Sequence, residues 1–77
     1  MSLRILLVED QGESRRALTS ILHKWGFNVS SADSLQSGLA FVHAKRFDAI
    51  VSGIELPDGT GYALIAEAKR HQEKLTE

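Results

Sequence analysis

Ile5, Leu6, Leu7 and Val8 form an unbroken apolar run between Arg4 and Glu9. Such a run without alternation predicts a strand covered on both faces, as in a parallel sheet. It ends at Glu9-Asp10, and Gln11-Gly12 make a short loop. The spacing then changes. Ala17, Leu18, Ile21, Leu22 and Trp25 recur at three and four residues, with Arg15, Arg16, His23 and Lys24 on the other side. That predicts an amphipathic helix with Trp25 as core at its end. Gly26 falls where a left-handed helix cap belongs, and Phe27 follows to pack back on the last turn.

Phe27 to Ala32 alternates, with Phe27, Val29 and Ser31 on one face and Asn28 and Ser30 on the other. This predicts a second strand at a sheet edge. Asp33 or Ser34 can cap the helix that follows, because a short side-chain oxygen accepts from its free backbone amides. That helix sends Leu35, Leu39, Ala40 and either Val42 or His43 inward. Gly38 within it costs about 1 kcal/mol relative to alanine, which points to a close contact there. Lys45-Arg46 close it, favourable beside the negative end of the helix dipole.

The stretch from Phe47 to Gly61, FDAIVSGIELPDGTG, holds a third strand. Asp48 leads into Ala49, Ile50 and Val51, a run too short for a helix and partly β-branched. Leu56-Pro57-Asp58-Gly59 is dense in turn formers and reads as a turn. Thr60 or Gly61 opens a third helix, with Leu64, Ile65 and Ala68 on one stripe and Glu67, Lys69 and Arg70 on the other. Beyond His71 the pattern is polar, so Glu73 to Glu77 either fray or carry the helix into solvent. The order is βαβαβα with short loops, which predicts a parallel sheet with right-handed crossovers.

Composition narrows the function classes. Seventy-seven residues make one small domain. A chain of this size buries roughly 60% of its unfolded surface, a marginal core. The net charge of -1 gives no case for nucleic acid or an anionic membrane as partner. There is no cysteine, hence no disulfide framework and no cysteine metal site, which fits a cytoplasmic protein. No apolar run approaches the roughly 20 residues that span a bilayer. Met1 to Arg4 run straight into a strand without a signal-peptide pattern. His23, His43 and His71 are scattered without metal-ligand spacing and read as surface or boundary residues. Gly12 follows the first strand, but no GxGxxG or GxxxxGK[ST] accompanies it, so an enzyme or nucleotide binder on this scaffold lacks its phosphate cradle.

The Phe47–Gly61 stretch resembles the third strand and following loop of response-regulator receiver domains, whose form there is D-hydrophobic-hydrophobic-x-x-D-I-x-L-P-x-x-x-G. Ile54, Leu56, Pro57 and Gly61 match. The resemblance covers essentially the whole chain but only about the first half of a receiver, and implies truncation after the third helix. It implies strand order 2-1-3, half of a flavodoxin-like doubly wound fold. In that order the carboxyl ends of strands one and three lie together at the topological switch point.

A receiver needs three carboxylates there: two to hold a hard cation and one to attack phosphorus. The resemblance matches Glu9-Asp10 to the cation-binding acidic pair, with Asp10 as direct ligand. It matches Glu55 to the carbonyl ligand two residues past the acceptor, and Gly53 to the acceptor aspartate itself. The family's hydroxyl residue and lysine belong to later strands. The expectation is a receiver-like module that accepts no phosphoryl group, has no cofactor beyond weak magnesium, and acts by protein contact. The alternative is an engineered or truncated half-receiver with no cellular activity. For Glu9-Asp10 the bland reading is that acidic residues stabilise a helix start. In complete receivers a further strand pairs with the third. Here Ala49, Ile50, Val51 and Ser52 are left as an open edge, the expected interface of a homodimer; a sensor kinase or other signalling protein is the other expected partner.

Overall fold

The computed structural model describes residues 2–76, with side chains through residue 72. Its elements are β1 (Arg4–Val8), α1 (Gly12–Lys24), β2 (Asn28–Ala32), α2 (Leu35–Ala44), β3 (Ala49–Ser52), β4 (Glu55–Leu56), β5 (Gly59–Thr60) and α3 (Gly61–Thr76). β1 pairs in parallel with β2 on one side and β3 on the other, giving the order β2-β1-β3. This is the expected fold. The central strand is the unbroken apolar run, and Leu6, Leu7 and Val8 are essentially inaccessible to solvent. The second strand starts at Asn28 rather than Phe27. The turn at Pro57-Asp58 closes a small antiparallel hairpin, β4 with β5, in which Glu55 opposes Thr60 and Leu56 opposes Gly59.

Side-chain alternation divides β1 between two faces. Leu6 and Val8 join Ala32, Val42, Leu56, Leu64 and Ala68 in one core cluster under α2 and α3. Ile5 and Leu7 alternate onto the opposite face and are buried there beneath α1. Gly38 is where the α2 backbone comes down on the sheet: a Cβ there would meet Val8 Cγ2 at 3.1 Å and Leu64 Cδ1 at 3.2 Å. The helix carries a poor former at that position where a Cβ would make Val8 and Leu64 give way by a few tenths of an ångström.

Caps fall largely where the sequence places them. Ser34 caps α2 through a reciprocal pair of bonds with Ser37, and Thr60 Oγ1 accepts the Ala63 N–H at the start of α3. Gly26 takes φ +93° and ends α1, with the Phe27 N–H reaching back to the Leu22 carbonyl.

On each helix, some residues expected inward are exposed. Trp25 is not core; it is 71% exposed. Leu18 and Ile21 are also exposed, and α1 has no buried residue. The three- and four-residue spacing identifies a stripe, but this stripe is wider than the strip of sheet that α1 covers. Ile65 is likewise exposed beside a fully buried Leu64. In α2, Val42 is buried and Leu35 and Leu39 pack against the core as expected, joined by Phe41, while Ala40 and His43 are exposed. The expected behaviour of the tail holds as an extension, since α3 continues to Thr76; Glu77 lies outside the described residues.

Candidate functional site

The carboxyl ends of β1 and β3 lie side by side, as the 2-1-3 order requires, because Val8 is in register with Ser52 and the Gly53 N–H donates to the Val8 carbonyl at 2.9 Å. Gly53 is thus the first residue past the strand, in the crevice where a doubly wound sheet binds its ligands. A Cβ built on it would lie 3.6 Å from the Glu55 carbonyl oxygen and 3.8 Å from Glu9 Oε1. These are ordinary contacts, and the backbone there is not left-handed. Gly53 therefore stands between the two sequence-predicted neighbours, and no backbone strain calls for glycine.

Glu9 follows β1 and is half-buried, and its Oε2 accepts the Gln11 N–H at 3.1 Å. Asp10 is exposed. The Arg15 guanidinium, from the first turn and a half of α1, donates to the Glu9 carbonyl at 2.9 Å and the Asp10 carbonyl at 3.4 Å. It holds the acidic loop from behind. Sequence reading placed Arg15 simply on the polar side of α1; its reach back over the loop had no signal in the spacing. Gly61 closes the crevice opposite, where any side chain would run into the Gly53 carbonyl and Ser52 Oγ. Its N–H donates to the Ile54 carbonyl at 2.9 Å.

The oxygen donors brought near Gly53 are the Glu9 carboxylate and the Glu55 carbonyl. Among the described residues no three histidine, cysteine, aspartate or glutamate side chains are arranged to hold a metal ion. Mg²⁺ demands near-octahedral oxygen coordination, so this set does not by itself make a cation site.

Two further constellations lie away from the crevice. Asp58, in the β4–β5 turn, accepts the N–H groups of Leu35 at 2.7 Å and Gln36 at 2.9 Å. The Gln36 bond, then the Leu35 bond, holds the Asp58 carboxyl below the usual aspartate range. This reading of Asp58 was not legible as more than a turn residue, since its partners are 23 and 22 residues away. On the outer face of α2 and α3, His43 and His71 are not scattered: their rings meet edge to face at 4.8 Å between centroids. His43 Nε2 lies 3.3 Å from Glu67 Oε2. Arg70 forks onto Glu67 and, foremost among its neighbours, lowers the Glu67 carboxyl from its ordinary range.

The comparisons with known proteins agree with this architecture. A family model described as "Response regulator receiver domain" matches residues 5–76. Chemotaxis protein CheY of Pseudomonas aeruginosa is 34% identical over 74 residues, which are 95% of this chain and 59% of that protein. The KDP operon transcriptional regulatory protein KdpE of Escherichia coli is 35% identical over 66 residues, 86% of this chain and 29% of that protein. Among solved structures, the non-phosphorylated HemR receiver domain from Leptospira biflexa superposes with a TM-score of 0.86 at 28% identity, over 94% of this chain and 58% of that one. The chain thus spans less than two thirds of the length of these relatives. No helix among the described residues is long and apolar enough to cross a membrane. With the three-stranded order, the crevice at the ends of β1 and β3 and a match across nearly its whole length, the chain belongs to the response-regulator receiver family.

Proposed function

We propose that this receiver accepts no phosphoryl group and works in two-component signalling by binding another protein, either a second copy of itself or a sensor kinase or other signalling protein. The observation that carries the reading is Gly53, which lies at the crevice between the Glu9 carboxylate and the Glu55 carbonyl and has no side chain to attack phosphorus. Acyl phosphate formation needs a carboxylate oxygen that attacks while the donor's leaving group departs in line. On this reading the chain is cytoplasmic and is not an enzyme.

The test is incubation with acetyl phosphate and magnesium, followed by intact mass measurement. No gain is expected. A hydroxylamine-sensitive gain of one phosphoryl group sinks the reading. Magnesium binding follows the same logic: with two carboxylates and one carbonyl, affinity is on the order of millimolar or weaker. Gly53→Asp fits the backbone and tightens magnesium binding, followed by NMR shifts at Glu9 and Asp10. Micromolar binding by the unaltered chain at those residues contradicts the reading.

A further inference from the structure

We propose that His43, Glu67 and His71 are the protein ligands of a zinc site that clips α2 to α3, away from the β1–β3 crevice and independent of its chemistry. His43 is on the last turn of α2, and the other two are on α3. Glu67 and His71 are four residues apart, so they lie one above the other on a single face of that helix. Both touch α2 through the same side chain. His43 Nε2 lies 3.3 Å from Glu67 Oε2, and the His43 and His71 rings meet at 4.8 Å between centroids. Two imidazoles and one carboxylate, with a fourth position left to water, are a zinc ligand set. Magnesium and calcium, which take oxygen donors, do not suit it.

The separation of the first two donors fits the ion. Zinc holds imidazole nitrogen and carboxylate oxygen at about 2.0–2.2 Å in a tetrahedron, so two of its donors stand roughly 3.3–3.6 Å apart. His43 Nε2 and Glu67 Oε2 are at that spacing already. It is longer than an ordinary N–H···O bond of about 2.7–3.2 Å. As the side chains stand, no three such groups converge on one point among the described residues. His71 meets His43 edge to face, with 74° between the ring planes. Completing the set takes a turn of the His71 ring about its own side-chain bonds, with both helices left in place.

Arg70 is the cation that zinc displaces. Its Nη2 lies 2.7 Å from Glu67 Oε1 and 3.0 Å from Oε2, and its Nε lies 2.9 Å from Oε1. The Arg70 side chain is 65% exposed, so it moves into water without opening the core. Lys45, the other cation close to His43 in the chain, is directed over the Phe41 ring. The exchange puts two positive charges where the guanidinium supplied one, beside a carboxylate that is itself mostly sheltered.

The experiment is a zinc chloride titration of the 77-residue chain at neutral pH, followed by calorimetry and backbone NMR. One ion per chain is expected, with amide shifts centred on His43, Glu67 and His71. With free zinc at about ten times its Kd, the melting temperature rises by about 5 °C. His43→Ala and His71→Gln each weaken binding about tenfold or more, and Glu67→Gln weakens it as well. Arg70→Ala tightens binding, because it removes the competing cation. His23→Ala, on α1, leaves it unchanged. His43 and Arg70 are exposed, and circular dichroism checks that each variant keeps its fold. No heat and no shift at millimolar zinc overturns the proposal. Shifts centred on Glu9 and Asp10 or on His23 also overturn it, as does binding that survives undiminished in folded His43→Ala.

Discussion

Leu64 and Trp25 sit on helices that lie against opposite faces of the same three strands. Leu64 is wholly buried, wedged with Val8 against Gly38, whereas Trp25 is mostly in solvent. The α2/α3 face is built from two helices that cover the sheet and each other, and nearly every member of the core cluster lies there. The α1 face has one helix over the β1 and β2 side, and Leu18, Ile21 and Val51 remain exposed. An apolar stripe on a helix reports which side can be buried. Whether it is buried depends on how much protein stands opposite.

That contrast sets the sizes of mutational effects. Leu64→Ala should cost about 2–5 kcal/mol, because it removes a filled core volume at the meeting of α2, α3 and β1. In a chain whose total stability is of the same order, urea denaturation should show the variant largely unfolded in water. Gly38→Val should cost about 1–3 kcal/mol, since even a Cβ there is in tight contact with Val8 and Leu64. A Gly38→Val protein as stable as the parent would show that the face is looser than the contacts imply.

The Asp58 tether is a smaller contributor on the same face. Its carboxyl is held below its ordinary value, so its stabilisation is present above the unfolded value near 3.8 and is lost as pH falls through the lower folded value. Asp58→Asn should therefore lower the melting temperature at neutral pH, and the gap from the parent should close below about pH 4. A gap that persists unchanged to pH 2 would assign the effect to the turn rather than to the charge. On the α1 face, Trp25→Ala and Ile21→Ser should each change monomer stability by under about 0.5 kcal/mol. A loss comparable to that of Leu64→Ala would break the contrast between the faces.

Much of this arrangement was legible in the sequence, for local reasons. The unbroken run Ile5–Val8 marks a doubly covered strand, Gly26 and Ser34 mark helix ends, and Gly38 marks a close approach. The strand order came from the resemblance, because periodicity carries no information about neighbours. At the site, Gly53, Glu9 and Glu55 could be placed together once that order was assumed. Arg15 over the acidic loop, Asp58 on the N-terminus of α2 and the His43–His71 contact could not be read. Each joins residues whose separation along the chain bears no relation to any repeat. Trp25 failed for the opposite reason: its spacing was right and its cover was absent.

The order β2-β1-β3 has a consequence for how the chain is made. β1 leaves the ribosome before both of its partners, which begin 24 and 45 residues later, at Asn28 and Ala49. At synthesis rates of about 5–20 residues per second its apolar run waits seconds for the second partner. No local pairing can shelter it meanwhile, since each parallel partner must first close a long loop. The strand that becomes the most deeply buried is also the one longest without neighbours. Translation speed between Asn28 and Ser52, rather than the strength of any finished contact, governs how long a chaperone has to find it.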